Sequence, residues 1–159
     1  MRFEPLTSPY DPALADLIRH TLTAHDLALP GTAFADEGLN HLSVYYAAEP
    51  TLRRYEVLLD DAGGLLGGVG IAELPQIEGC AELQKLYLQP AARGRGLGRK
   101  MIAHIEGEAS ALGYRRIYLE THSNLKAAIR LYEAMGYRRV PRPDFVVHSA
   151  MDVFFQKEI

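Results

Sequence analysis

Residues suited to holding an anion are concentrated in the middle of the chain. Leu83-Gln84-Lys85-Leu86-Tyr87-Leu88-Gln89-Pro90 has the character of a β-strand, and Arg93-Gly94-Arg95-Gly96-Leu97-Gly98-Arg99-Lys100 follows it and leads into a long amphipathic segment. Strand, glycine loop and helix in that order make a phosphate cradle. Glycines adopt positive φ and let the backbone approach a ligand, while the start of the helix offers unpaired N–H groups and the positive end of its dipole. The arginines and the lysine add cationic charge. Spacing argues against two nucleotide-binding readings: Arg99 stands where G-x-G-x-x-G, counted from Gly94, needs its third glycine, and Gly98-Arg99-Lys100-Met101 is not the G-K-S/T of a P-loop.

Arg93, Gly96 and Gly98 do fit R-x-x-G-x-G, and here the sequence resembles the GNAT superfamily of N-acetyltransferases, whose hallmark is Q/R-x-x-G-x-G/A between the fourth strand and the third helix. The resemblance continues in register. Arg116-Ile117-Tyr118-Leu119-Glu120-Thr121 is a β-type run, and Asn124 to Tyr137 looks like the second family signature, N-x-x-A-I-x-L-Y-x-x-x-G-F/Y, with one residue more between the asparagine and Ala128-Ile129. Together the two signatures run from Glu82 to Tyr137.

The resemblance implies an α/β (α+β) fold with a mixed, mostly antiparallel central sheet of about six to seven strands flanked by about four helices. It implies acetyl-CoA as cosubstrate, no metal, and transfer of the acetyl group to a primary amine by direct attack in a ternary complex. The alternative is a non-catalytic acyl-CoA-binding or sensor module with the same fold. The implied cofactor contacts are Leu86, Tyr87 and Leu88 on the fourth strand; Arg93, Gly94, Arg95, Gly96, Leu97, Gly98, Arg99 and Lys100 in the loop and helix start; and Asn124, which either binds pantetheine or caps the following helix.

Strand four of the family splays from strand five and offers free backbone groups to pantetheine as an added strand would, with an N–H at about Leu88 for the thioester oxygen. An alkyl amine of pKa ~10 is mostly protonated at neutral pH, so a positioned base helps by ~10²–10⁴. Two carboxylates match family bases: Glu82, eleven positions before Arg93, and Glu120, twelve before Tyr132. Glu82 is the first choice. Tyr132 matches the family tyrosine whose phenol lies near the sulfur and can protonate the leaving thiolate.

Elements must position these groups. Arg2 to Leu6 reads as a first strand, followed by a helix that Asp11 caps and Pro12 begins, running to about His25 with Leu14, Leu17, Ile18, Thr21 and Leu22 buried. Asp36 is placed to cap a second helix with Leu39, Leu42, Val44 and Tyr46 on its apolar positions. Tyr55–Leu59 and Leu65–Leu74 form a hairpin across Asp60–Gly64. Strand four covers Ala81–Gln89, helix three about Gly96–Leu112 and helix four about Leu125–Met135, with Gly113 and Gly136 as stops; a last strand covers about Met151–Gln156. The connection Leu27–Phe34 and Tyr45-Tyr46 lie where the family builds its acceptor pocket, and Asp26, Asp36, Glu37 and Glu49 could attract a cationic amine.

Composition bounds the rest. With 159 residues, 48% of them apolar, residues 1–159 read as one N-acetyltransferase domain that needs no disulfide or metal to hold its core. A formal charge of −3 gives no footprint for nucleic acid. The lone Cys80 suits a reducing compartment, no apolar run approaches the ~20 residues that span a bilayer, and Met1–Leu6 lacks the apolar stretch of a signal peptide. These features predict a cytoplasmic protein with no membrane partner, acting on a small-molecule or peptide amine, with a homodimer compatible with the fold.

Overall fold

The computed structural model describes residues 1–146 and 148–159. Seven strands form one sheet: β1 (Arg2–Pro5), β2 (Arg54–Leu59), β3 (Leu65–Glu73), β4 (Cys80–Leu88), β5 (Arg116–Thr121), β6 (Arg138–Val140) and β7 (Val153–Glu158), in the spatial order β1-β2-β3-β4-β5-β7-β6. Every pairing is antiparallel except β4–β5. A parallel pair needs a crossover between its strands, and helix α3 (Leu97–Ala111) makes it. The remaining α-helices are α1 (Asp11–Thr23), α2 (Leu42–Ala48) and α4 (Lys126–Ala134). This is the predicted mixed sheet with four helices.

Alternation along the strands divides the side chains between two layers. Leu58, Val69, Ile71, Ala81, Leu83, Ile117, Leu119 and Phe155 pack with Met101, Ile102 and Ile105 of α3 and with Ile129 and Tyr132 of α4. On the opposite face Tyr55, Val57 and Leu59 pack with Leu14, Ile18 and Leu22 of α1 and with Tyr46 of α2. The β5–β7 end of that second face carries Cys80, Tyr118 and Phe154 under Met151 of the C-terminal loop. Cys80 is buried and its thiol is pushed up to about 11 by that burial, as befits a packed hydrophobe rather than a nucleophile.

The β2–β3 hairpin turns where expected, with Asp60 Oδ1 accepting from the N–H groups of Ala62 (2.9 Å) and Gly64 (2.7 Å). Gly113 and Gly136 end α3 and α4 with φ of +91° and +86°. Gly70 has a packing reason: a Cβ there would run into the Tyr55 ring and sit 2.8 Å from the Tyr46 hydroxyl.

Four local expectations are corrected. Asp11 does not cap α1; it is the first helical residue, and its buried carboxylate accepts from Ser43 N (2.9 Å) and Ser43 Oγ (2.5 Å), tying α1 to α2. Asp36 stands before a short 3-10 turn, Glu37–His41, that precedes α2, and its side chain is committed to other partners rather than to a cap. Val44 is 66% exposed, because α2 starts at Leu42 and its short length buries Leu42 and Tyr46 on one side only. The last strand runs two residues later than predicted, since Val153–Glu158 is the stretch that pairs with β5.

Candidate active site

Strand β4 pairs with β5 only through Cys80↔Arg116, Ala81↔Ile117 and Glu82↔Tyr118. Beyond Glu82 the two strands part. The cause is on β4 itself. Against β3, Gly70 pairs with Gln84 but Gly68 with Tyr87, so β4 carries one extra residue there. Lys85 occupies the bulge with φ +50°, one of two non-glycine residues at positive φ among the described residues. The bulge also changes which face β4 presents. Gln84 lies on the α1/α2 side, where it meets Tyr46, and Lys85 lies on that side too, whereas Leu86 and Leu88 return to the α3/α4 side.

Two depressions meet at the splay and share Leu86, Tyr87, Leu125 and Ala128. The larger, ≈ 370 Å³, is a groove walled by Leu86, Tyr87 and Leu88 of β4 and by the loop at Arg93, Gly94, Gly96 and Arg99, with Leu97 and Gly98 behind. Gly96 is the residue before α3, with φ +74°, and a Cβ there would meet nothing within 4 Å, so the loop is open to a ligand at the N-terminus of a 15-residue helix. Arg93 is anchored, donating from Nε to Leu88 O (3.1 Å) and from Nη2 to Thr21 Oγ1 (3.3 Å). Thr21, predicted for the buried stripe of α1, lines this groove instead.

Arg95 and Lys100 do not line the groove; both are exposed, Arg95 between two glycines and Lys100 on the outer side of the first turn of α3. Asn124 does not line it either. Leu125, not Asn124, is the residue before α4, and Asn124 Nδ2 donates to His25 O at 2.9 Å, joining the α4 approach to the end of α1.

The smaller depression holds the predicted catalytic groups: Glu82, Glu120 and Tyr132 line it together. Tyr132 comes from the α4 layer and the carboxylates from the opposite face of the sheet, so only the gap between β4 and β5 brings them together. Glu82 Oε2 accepts from Gln84 Nε2 (2.6 Å), and Gln84 Oε1 in turn accepts from Tyr46 OH (2.7 Å). Glu120 Oε1 accepts from Tyr118 OH (3.1 Å), while Oε2 is buried without a partner. Burial raises the Glu120 carboxyl above its ordinary value and the neighbouring Glu82 adds to the effect. Burial likewise raises Tyr132, keeping it protonated.

Sequence reasoning missed one side of this cleft. Asp36 Oδ2 lies 2.7 Å from Lys85 Nζ and Asp36 Oδ1 lies 3.0 Å from His148 Nε2, and Lys85 and His148 both line the cleft. Burial opposes the charge on Asp36, but His148 and Lys85 outweigh it and hold its carboxyl below the ordinary value; the hydrogen bond to Asp36 raises His148. The three residues are remote in sequence, and no short-range pattern could have joined them. Thr32 and Ala33, in the predicted acceptor-side connection, line the same cleft. His122 is a turn residue whose Nδ1 accepts from Asn124 N (3.0 Å).

Among the described residues no helix is long and apolar enough to cross a membrane, and no group of three or more His, Cys, Asp and Glu residues is arranged to hold a metal ion.

The family model for GNAT acetyltransferases matches residues 16–137. An uncharacterized N-acetyltransferase of Escherichia coli (strain K12), YjgM, is 38% identical over 137 residues, covering 85% of this chain and 80% of its own. A GNAT acetyltransferase from Staphylococcus aureus Mu50 shares the fold with a TM-score of 0.84 at 15% identity, over 99% of this chain and 98% of that one. The structure of yncA from Salmonella typhimurium with its cofactor acetyl-CoA shares it with a TM-score of 0.76 at 22% identity, over 99% and 93%. The parted strands and the glycine loop therefore have a family context that spans most of the sequence, and this chain belongs to the GNAT family and is an N-acetyltransferase.

Proposed function

We propose that the chain moves the acetyl group of acetyl-CoA to a primary amine by direct attack, with both substrates bound at once. One juxtaposition carries the reading: two carboxylates and a protonated tyrosine line a cleft that opens, through the β4–β5 gap, onto the groove of the glycine loop. The groove supplies what the donor needs. Backbone N–H groups at Gly94 to Gly98, with Arg93 and Arg99, would hold the pyrophosphate, and the edge of β4 at Leu86 to Leu88 would pair with pantetheine. An N–H near Leu88 would stabilise the oxyanion.

The proton inventory balances. The ammonium loses one proton to solvent and attacks as the neutral amine; a carboxylate takes the second proton as the nitrogen lone pair forms the N–C bond at the thioester carbonyl, the C–S bond breaks, and Tyr132 gives its proton to the departing thiolate and regains one from solvent. Glu82 is the base of first choice and Glu120 the second. Glu120's raised carboxyl, half-buried and with one oxygen unpartnered, supports its candidacy. A buried, inert Cys80 is consistent with direct transfer rather than an acyl-cysteine, and with a reducing cytoplasm.

Calorimetric titration with acetyl-CoA tests the donor half, using ATP and NAD as controls and a Gly96→Glu variant that places bulk and negative charge in the loop. Saturable binding by the wild type, lost in the variant, is expected. Absence of acetyl-CoA binding overturns the reading; binding without release of the coenzyme A thiol in the presence of any amine favours the sensor alternative.

A further inference from the structure

The cleft that holds Glu82 and Glu120 also holds Lys85 and His148. Lys85 and His148 share a single carboxylate, Asp36, so once His148 is protonated the trio carries one net positive charge. Its members are largely withdrawn from solvent, with side-chain exposures of 12% for Lys85 and 26% each for Asp36 and His148. Lys85 is held there at a conformational cost. A lysine at φ +50° occupies the left-handed region that favours glycine, and such outliers cluster at functional sites. Without the bulge, alternation would turn Lys85 to the α3/α4 face with Leu83; the bulge turns it into the cleft. Asp36 and His148 arrive from the two loops that roof the cleft, which are joined again where Ala150 N donates to Gly31 O (3.1 Å).

Resting on the transfer reading above, we infer that the acceptor is a free α-amino acid, its ammonium drawn to Glu82 and Glu120 and its carboxylate held by Lys85 and His148. A neutral-tailed alkyl amine would use only the carboxylates. The enclosed part of the cleft, ≈ 90 Å³, is smaller than the ~150 Å³ that accommodates a benzene ring, so a compact head group suits it.

Thiol release from acetyl-CoA decides the matter when the twenty α-amino acids, their carboxamides and simple alkyl amines are compared, with acetyl-CoA affinity measured alongside. The expected result is kcat/KM at least ~10-fold higher for the best amino acid than for its amide, matching a charge-assisted hydrogen-bond pair. In Lys85→Met and His148→Gln, KM for that amino acid should rise ~10-fold or more and its advantage over the amide should shrink, with acetyl-CoA affinity unchanged; Lys85→Arg should restore part of the discrimination. Amides or alkyl amines turned over as well as amino acids overturn the inference and leave acetyl transfer standing. No turnover of any panel member, with intact acetyl-CoA binding, also overturns it. Loss of acetyl-CoA binding in the wild type overturns the transfer reading itself.

Discussion

Tyr132 is 5% exposed and its ring packs against Tyr137 and Phe155, so removing its hydroxyl leaves the packing in place. Tyr132→Phe is therefore expected to lower kcat by ~10²-fold, the scale of a lost general acid, with acetyl-CoA affinity unchanged by calorimetry. An unaltered kcat would assign the thiolate proton to another donor. The carboxylates are separable by pH. A base works deprotonated, so kcat/KM rises as pH passes through its pKa, and burial together with Glu82 moves that rise upward if the base is Glu120. Glu82→Gln removes the neighbouring negative charge. If Glu120 is the base, the rise shifts to lower pH and the plateau survives; if Glu82 is the base, as preferred here, the rise is lost and the rate drops. The pH profile of kcat/KM for wild type and variant distinguishes the two.

Among the elements, β3 and β4 do the positioning. β3 is glycine-rich where Tyr55 and Tyr46 press against it, and Tyr55 OH donates to Lys85 O at 2.7 Å, bracing the bulge from the α1/α2 side. Gly70→Ala would push a methyl group into those rings. It is expected to destabilise the fold by about 1–3 kcal/mol, read as a lower urea midpoint, and to weaken acceptor turnover because Tyr46 also orients Gln84 and through it Glu82. A midpoint equal to the wild type's would mean that the tyrosines move aside freely. Elements built on local signals were legible. The hairpin turn, the Arg116–Thr121 strand and the two glycine helix stops lie where residue types put them, because turn chemistry and left-handed φ act within a few residues. Asp11 and Asp36 went differently because a carboxylate that can reach a distant donor, Ser43 for one and Lys85 and His148 for the other, is not bound to the helix end beside it.

At the scale of the whole molecule, the site is a junction of layers. Tyr132 stands in one layer and Glu82 and Glu120 in the other; they share a cleft only because β4 leaves β5 after Glu82. The Lys85–Asp36–His148 cluster in the cleft joins the α1–α2 connection, the β4 bulge and the C-terminal loop. The sequence by itself determined the glycine loop, the order of strands and helices around it, and which carboxylates and tyrosine stand as candidates for proton transfer, because each is written in contiguous residues whose spacing has local physical consequences. Only the tertiary structure decided that β4 bulges at Lys85, that Asn124 holds the end of α1 instead of lining the groove, and that Lys85, Asp36 and His148 meet. Those outcomes depend on which distant side chains satisfy one another's charges and hydrogen bonds once the two faces of the sheet are covered.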